Sequence, residues 1–220
     1  GSGTGETDST STRAAADARQ RRMAALPGGV EIPADAPTKG MFGPVQAWPL
    51  IPLHVVLTGD GRVMSYGTKG DGTQTAFFIY NVWDPSDGSH LTLNNGTGTD
   101  IFCSSQLVLP DGSGVVINGG DNWTGTGTTN TGNNNSNVFD VASGSLTRGN
   151  NMNRARWYSS STTLLSGDMY IQGGSSGTDR PEVRQLDGSY RLLSNANTSA
   201  LDFMYPCNFI APDGRVFGFD

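Results

Sequence analysis

Two side chains give the sequence its chemical interest: the thiol of Cys103, in Asp100-Ile-Phe-Cys103, and the phenol of Tyr158, in Arg154-Ala-Arg-Trp-Tyr158-Ser-Ser. They stand 55 residues apart. That is about one period of a repeating β architecture, which brings the two side chains to neighbouring strands. Taken by type alone, a Cys before a strand is a small buried hydrophobe and a Tyr is a core or rim aromatic with its hydroxyl satisfied. A disulfide between Cys103 and Cys207 is another use for the thiol, and two cysteines do not fix the redox compartment.

The elements that must position this pair are read from the repeat. A unit of apolar run, tight turn and second apolar run ending in glycine recurs four times from about Gly40 onward: Val55–Gly67, Gln106–Gly120, Thr162–Gly174 and Asn208–Phe219. The turn glycines Gly61, Gly112, Gly167 and Gly214 are spaced 51, 55 and 47 residues apart. Each unit is a hairpin signal, Asp-Gly or Gly-Asp between apolar runs. Between hairpins lie runs for two further strands: Thr75–Pro85 with Leu91–Leu93, Asn137–Asp140 with Leu146–Thr147, and the two halves of Glu182–Leu193. A period near 50 residues with four antiparallel strands is that of a kelch-type β-propeller. A β-sandwich has recurring strands but no such super-period. The chain therefore reads as all-β, with about three and a half four-stranded blades over residues 40–220. A propeller closes with roughly 4–8 blades, so the missing ones are expected on the C-terminal remainder of a longer propeller or on a partner chain.

Residues 1–39 read as a leader: a Gly, Ser and Thr-rich end to about residue 11, then a short helix over Arg13–Leu26 stopped by Pro27-Gly28-Gly29. The helix carries four arginines, at 13, 19, 21 and 22, and reads as solvated or as a partner contact. Of 220 residues, 35% are hydrophobic and 15% charged, as in a globular domain, and the 31 glycines lack the three-residue period of collagen. A net charge of −6 argues against a nucleic-acid surface. No apolar run is long enough to span a membrane, and a secreted protein whose signal segment has been removed is the expected setting.

The motifs resemble the galactose oxidase and glyoxal oxidase family of copper radical oxidases. Asp100-Ile-Phe-Cys103, Val-Val-Ile-Asn-Gly-Gly-Asp-Asn at 115–122, Arg154-Ala-Arg-Trp-Tyr158-Ser-Ser and Tyr170-Ile-Gln-Gly-Gly-Ser carry the resemblance, with Gly43-Pro-Val, Leu50-Ile-Pro-Leu-His and Trp83-Asp-Pro in agreement. The resemblance implies a thioether between the Cys103 sulfur and the Tyr158 ring, with Tyr158 a copper ligand and the seat of a radical. It implies oxidation of a small alcohol, aldehyde or carbohydrate by O2, giving H2O2. A phenolate binds copper(II) through oxygen, and sulfur on the ring spreads an oxidised phenoxyl state. Arg156-Trp157-Tyr158 and Tyr205-Pro-Cys-Asn-Phe-Ile-Ala-Pro-Asp-Gly214 resemble glyoxal oxidase more than galactose oxidase.

The resemblance also implies an aromatic shield over the crosslinked Tyr. Trp123 is the first candidate and Trp157 the second, because the galactose oxidase position holds Ser176. The insertion at 124–137 reads as a solvated loop or a lid over the mouth. The family's remaining ligands, a second Tyr and two His, come from later blades. The chain holds two histidines, His54 and His90, and neither stands in a ligand motif. The alternative function is a non-catalytic kelch-type propeller that binds a glycan or a protein through its loops.

Overall fold

Hairpin turns set the architecture, and their chemistry repeats. Asp60, Asp111 and Asp213 each accept a hydrogen bond on Oδ1 from the backbone N–H two residues on, and Ser166 does the same for Asp168. The glycines beside them, Gly61, Gly112, Gly167 and Gly214, all take positive φ, between 73° and 88°. A left-handed residue is what a tight turn between twisted strands demands, which accounts for the period of the sequence.

The computed structural model describes residues 32–219. The helix expected at Arg13–Leu26 and its arginines lie outside them. A short helix α1 (Ala36–Lys39) precedes the strands. Blade 1 consists of β1 (Ile51–Leu57), β2 (Val63–Thr68), β3 (Ile79–Asp84) and β4 (Ser89–Asn94). Blade 2 consists of β5 (Ser105–Val108), β6 (Gly114–Asn118), β7 (Ser136–Asp140) and β8 (Ser145–Arg148). Blade 3 follows with β9 (Ser159–Thr163), β10 (Met169–Gly173), β11 (Glu182–Arg184) and β12 (Tyr190–Leu192), and a hairpin of β13 (Cys207–Ile210) and β14 (Val216–Phe219) begins a fourth. Within each sheet the strands lie in sequence order and pair antiparallel. The first strands of successive blades touch, β1 with β5, β5 with β9 and β9 with β13, so they line one axis. The expectation of three and a half propeller blades holds.

Blades 1 and 2 share a dry core. Met64, Tyr66, Tyr80 and Val82 of the first pack on Ile101, Val115, Ile117 and Phe139 of the second, and Tyr80 and Phe139 meet edge to face with ring centroids 5.9 Å apart. Full burial of each such side chain contributes roughly 1.5–3 kcal/mol. Both ends of the arc keep apolar side chains in solvent. Ile51, Leu53, Val55 and Leu57 are exposed on β1, as are Phe209, Phe217 and Phe219 on the last hairpin.

Candidate functional site

The inner strands of blades 2, 3 and 4 are each entered through a left-handed residue that is not glycine. Cys103 has φ 56°, Tyr158 φ 72° and Tyr205 φ 50°. L-residues in this region cost of order 1–3 kcal/mol each and concentrate where surrounding structure fixes a functional geometry. The three are joined by backbone hydrogen bonds: Tyr158 N–H donates to the Cys103 carbonyl at 2.9 Å, and Tyr205 N–H donates to the Tyr158 carbonyl at 2.8 Å. Blade 1 closes the series, because Cys103 N–H donates to Nε2 of His54 at 3.1 Å. Four consecutive blades therefore supply His54, Cys103, Tyr158 and Tyr205 to one mouth.

Side chains follow the backbone. The phenols of Tyr158 and Tyr205 stand near enough to the Cys103 thiol for each to bear on the other's ionisation. The Tyr158 and Tyr205 rings meet edge to face at 5.3 Å. Burial raises the Cys103 thiol above its usual range, partly offset by the two phenols. Burial, with the sulfur beside it, pushes Tyr158 up to about 12 and raises Tyr205 as well. Both phenols and the thiol are thus held neutral. Below them, a cavity of about 490 Å³ along the axis is lined by His54, Cys103, Tyr205 and the serines of β5 and β9. Ser105 Oγ lies 2.6 Å from Ser161 Oγ and 3.2 Å from Ser159 Oγ.

Elements behind the site hold it in place. His54 stacks on Tyr66, with centroids 4.7 Å apart and planes 13° apart, and Tyr66 Oη lies 2.7 Å from Ser104 Oγ and donates to Gln106 Oε1 at 2.8 Å. Because Nε2 of His54 accepts from Cys103, its ring proton sits on Nδ1, and burial lowers its pKa to about 4. Behind Tyr158 lies a fully buried ion pair, Arg156 with Glu182, at 2.9 Å. The Arg156 guanidinium also donates to the carbonyls of Gly173, Gly177 and Arg180, so the loop after β10 is clamped to the segment that carries Tyr158. Close approach of backbones demands glycine at Gly120, whose N–H donates to the Arg156 carbonyl and where a Cβ would stand 2.2 Å from the Asp100 carbonyl oxygen.

Of the two indoles expected as a shield, the one on Tyr158 is that of Trp157, with centroids 4.2 Å apart and planes inclined 35°. Trp123 turns the other way and stacks on Phe77 at 5.4 Å and edge-on to Phe78 at 5.0 Å. Its loop is pinned by Asp121, which accepts hydrogen bonds from Thr128 and from Thr131 N–H. Ser176 is exposed. The insertion is part of the site's frame at its far end. Asn133 donates to the Asp100 and Asp121 carbonyls at 3.1 and 2.6 Å, and its own carbonyl accepts from Arg156 N–H. Cys103 and Cys207 are both free, which removes the disulfide. Tyr205, Glu182 and Asn133 were not singled out by type. Their signal, for Tyr205, was its place 47 residues after Tyr158, ahead of the next hairpin.

The two histidines are engaged elsewhere. His54 is occupied by the Cys103 amide, and His90 lies away in blade 1, its Nδ1 2.9 Å from Asn81 Oδ1 and its ring under Trp48 at 4.6 Å. Among the described residues no three His, Cys, Asp or Glu side chains gather as a metal requires.

Fold and site together define a partial kelch-type propeller with a thiol and a phenol at its mouth. No protein-family model matches the chain. Two galactose oxidase sequences of Gibberella zeae are each 30% identical over 150 residues, covering 64% of this chain and 20% of the relative. The chain thus spans about a fifth of the length of the curated relatives it matches. A fungal alcohol oxidase of the AA5 family, solved in complex with copper, superposes with a TM-score of 0.54 at 21% identity, over 68% of this chain and 31% of that one. The neighbour shares the fold, and the relatives are galactose oxidases, of the family that the motifs resemble. No helix among the described residues is long and apolar enough to cross a membrane.

Proposed function

We propose that the chain is part of a secreted copper radical oxidase that oxidises primary alcohols or aldehydes, carbohydrates among them, with O2 to give H2O2. Its redox cofactor is a thioether between Cys103 and Tyr158. The observation that carries this reading is the pair itself, a free buried thiol tied through its backbone carbonyl to the Tyr158 N–H at 2.9 Å in a chain similar to galactose oxidase. In that reading copper supplies one oxidising equivalent and the crosslinked Tyr the other. The remaining copper ligands come from blades outside these residues, and the catalytic steps at the metal belong to the assembled propeller.

The residues present account for the preparation of the site. Bond formation between the Cys103 sulfur and a Tyr158 ring carbon releases one hydrogen from each, and O2 accepts both with their two electrons as H2O2. The ladder of hydrogen bonds from His54 holds the sulfur at the ring, and the Trp157 indole covers one face of the phenol. Intact mass and a peptide map after exposure to copper(II) and air test the reading. A loss of two hydrogen atoms is expected, with the Cys103 and Tyr158 peptides travelling as one species that reductant does not separate. Separate peptides and a freely alkylated Cys103, here and in a longer form carrying the other blades, would leave the glycan- or protein-binding propeller in its place.

A further inference from the structure

An asparagine followed two residues on by serine or threonine, with no proline between, is the acceptor pattern for an N-linked oligosaccharide. The sequence holds it four times, at Asn95-Gly-Thr97, Asn122-Trp-Thr124, Asn134-Asn-Ser136 and Asn197-Thr-Ser199. The fold treats the four differently. Asn95 is 7% exposed; its Nδ2 donates to the carbonyls of Ala76 and Thr99 at 2.7 and 2.9 Å, and its Oδ1 accepts from the Thr97 hydroxyl at 2.6 Å. Nδ2 of Asn122 donates to Thr131 Oγ1 at 3.1 Å and to the Gly132 carbonyl at 2.9 Å, tying together the two ends of its loop. Nδ2 of Asn134 donates to the Met152 carbonyl at 3.2 Å, and Ser136, whose hydroxyl completes that pattern, is 1% exposed. A sugar on any of these nitrogens takes away an N–H donor and needs open space where the nitrogen instead faces a carbonyl.

Asn197, on the loop between β12 and β13, differs on each count. Asn197 and Ser199 are both exposed. The Asn197 Oδ1 accepts from Ser199 N–H at 3.0 Å, which closes the three residues of the pattern into a turn and leaves Nδ2 without an acceptor among the described residues. Thr198 anchors that turn to the neighbouring loop, its N–H donating to the Asp179 carbonyl at 3.2 Å and its hydroxyl to the Thr178 carbonyl at 2.5 Å. We infer that Asn197 is the N-glycosylation acceptor of this chain. Its Nδ2 attacks the anomeric carbon of an oligosaccharide carried on a polyprenyl pyrophosphate. The carbon–nitrogen bond forms as the carbon–oxygen bond to the pyrophosphate breaks, the amide gives up one proton, and polyprenyl pyrophosphate leaves. Exposure to that donor rests on the secreted reading above, whereas the choice among the four asparagines rests on the fold alone.

The test keeps those two apart. The full chain is sent through a yeast secretory pathway behind a cleavable leader, and the folded product is treated with peptide N-glycosidase in heavy-oxygen water, which converts each glycan-bearing Asn to a labelled Asp. Peptide mapping is expected to find the label at position 197 and none at 95, 122 or 134. Asn197→Gln and Ser199→Ala should each abolish the label and the mass of the glycan, whereas Ser199→Thr, which keeps the pattern, should retain both. An unlabelled Asn197, or a label at any of the other three, overturns the inference. Chain purified from its own source is mapped in parallel. A glycan on Asn197 there supports the inference and the export it presupposes; its absence there, with the yeast product labelled at position 197, counts against the secreted reading alone.

Discussion

Blades 1 and 2 meet across a dry interface of Met64, Tyr66, Val115, Ile117 and Phe139, whereas blade 3 is built around the charges of Arg156 and Glu182 with no water-exposed surface on either. The two regions answer different needs. Apolar burial is tolerant of small shifts and supplies stability. A buried ion pair returns little net stability, because desolvation consumes its Coulombic gain, but it fixes direction through a planar fork of donors. The clamp sits two residues from Tyr158 and the apolar core does not.

Substitutions can break that contrast, and the largest effects come from the two centres themselves. Phe139→Ala should cost about 3–5 kcal/mol in chemical denaturation and leave the alkylation rate of Cys103 in the folded chain unaltered. Glu182→Gln should cost a similar 3–5 kcal/mol, since Arg156 would be left buried without its counter-charge, and it should change that alkylation rate. The sharper version replaces both, Arg156→Met with Glu182→Met. Stability should then return to within about 1 kcal/mol of the parent or exceed it, while Cys103 stays more reactive. An unaltered Cys103 in that pair would sink the idea that the charges serve geometry.

Tyr66→Phe comes next. It leaves Ser104 and Gln106 without their buried partner and should cost about 1–3 kcal/mol by thermal or urea unfolding. The smallest effect is in pH. His54 titrates near 4 in the fold against about 6.5 unfolded, so its contribution is present above pH 6.5 and is lost as pH falls toward 4. Asp100, raised to about 6 by burial, runs the other way: its contribution is full below about pH 4 and disappears as pH rises through 6. Asp100→Asn should therefore steepen the loss of stability on acidification from 6.5 to 4, and His54→Gln should flatten it, each read from unfolding midpoints at several pH values.

The propeller was legible because each hairpin announces itself locally. Asp60-Gly61, Asp111-Gly112 and Asp213-Gly214 are turns by composition, and their spacing is the blade. Cys103 and Tyr158 were legible through that spacing and through the family motifs. The left-handed backbones at Cys103, Tyr158 and Tyr205 had no local sign, since no glycine or asparagine marks them and tertiary hydrogen bonds impose them. The Arg156–Glu182 pair joins positions 26 residues apart in two different elements, which no short motif records. Trp123 followed its loop toward Phe77 because Asp121 pins that loop, a contact that depends on the folded turn.

The ladder from His54 to Tyr205 also determines how errors spread. Each rung hangs from the one before it, so the site is assembled in series and blade 1 acts as its datum. A displacement of His54 passes to Cys103, then to Tyr158, then to Tyr205, growing with each joint, whereas one at Tyr205 stops there. Tolerance to mutation in the inner strands should accordingly rise from the first blade to the fourth.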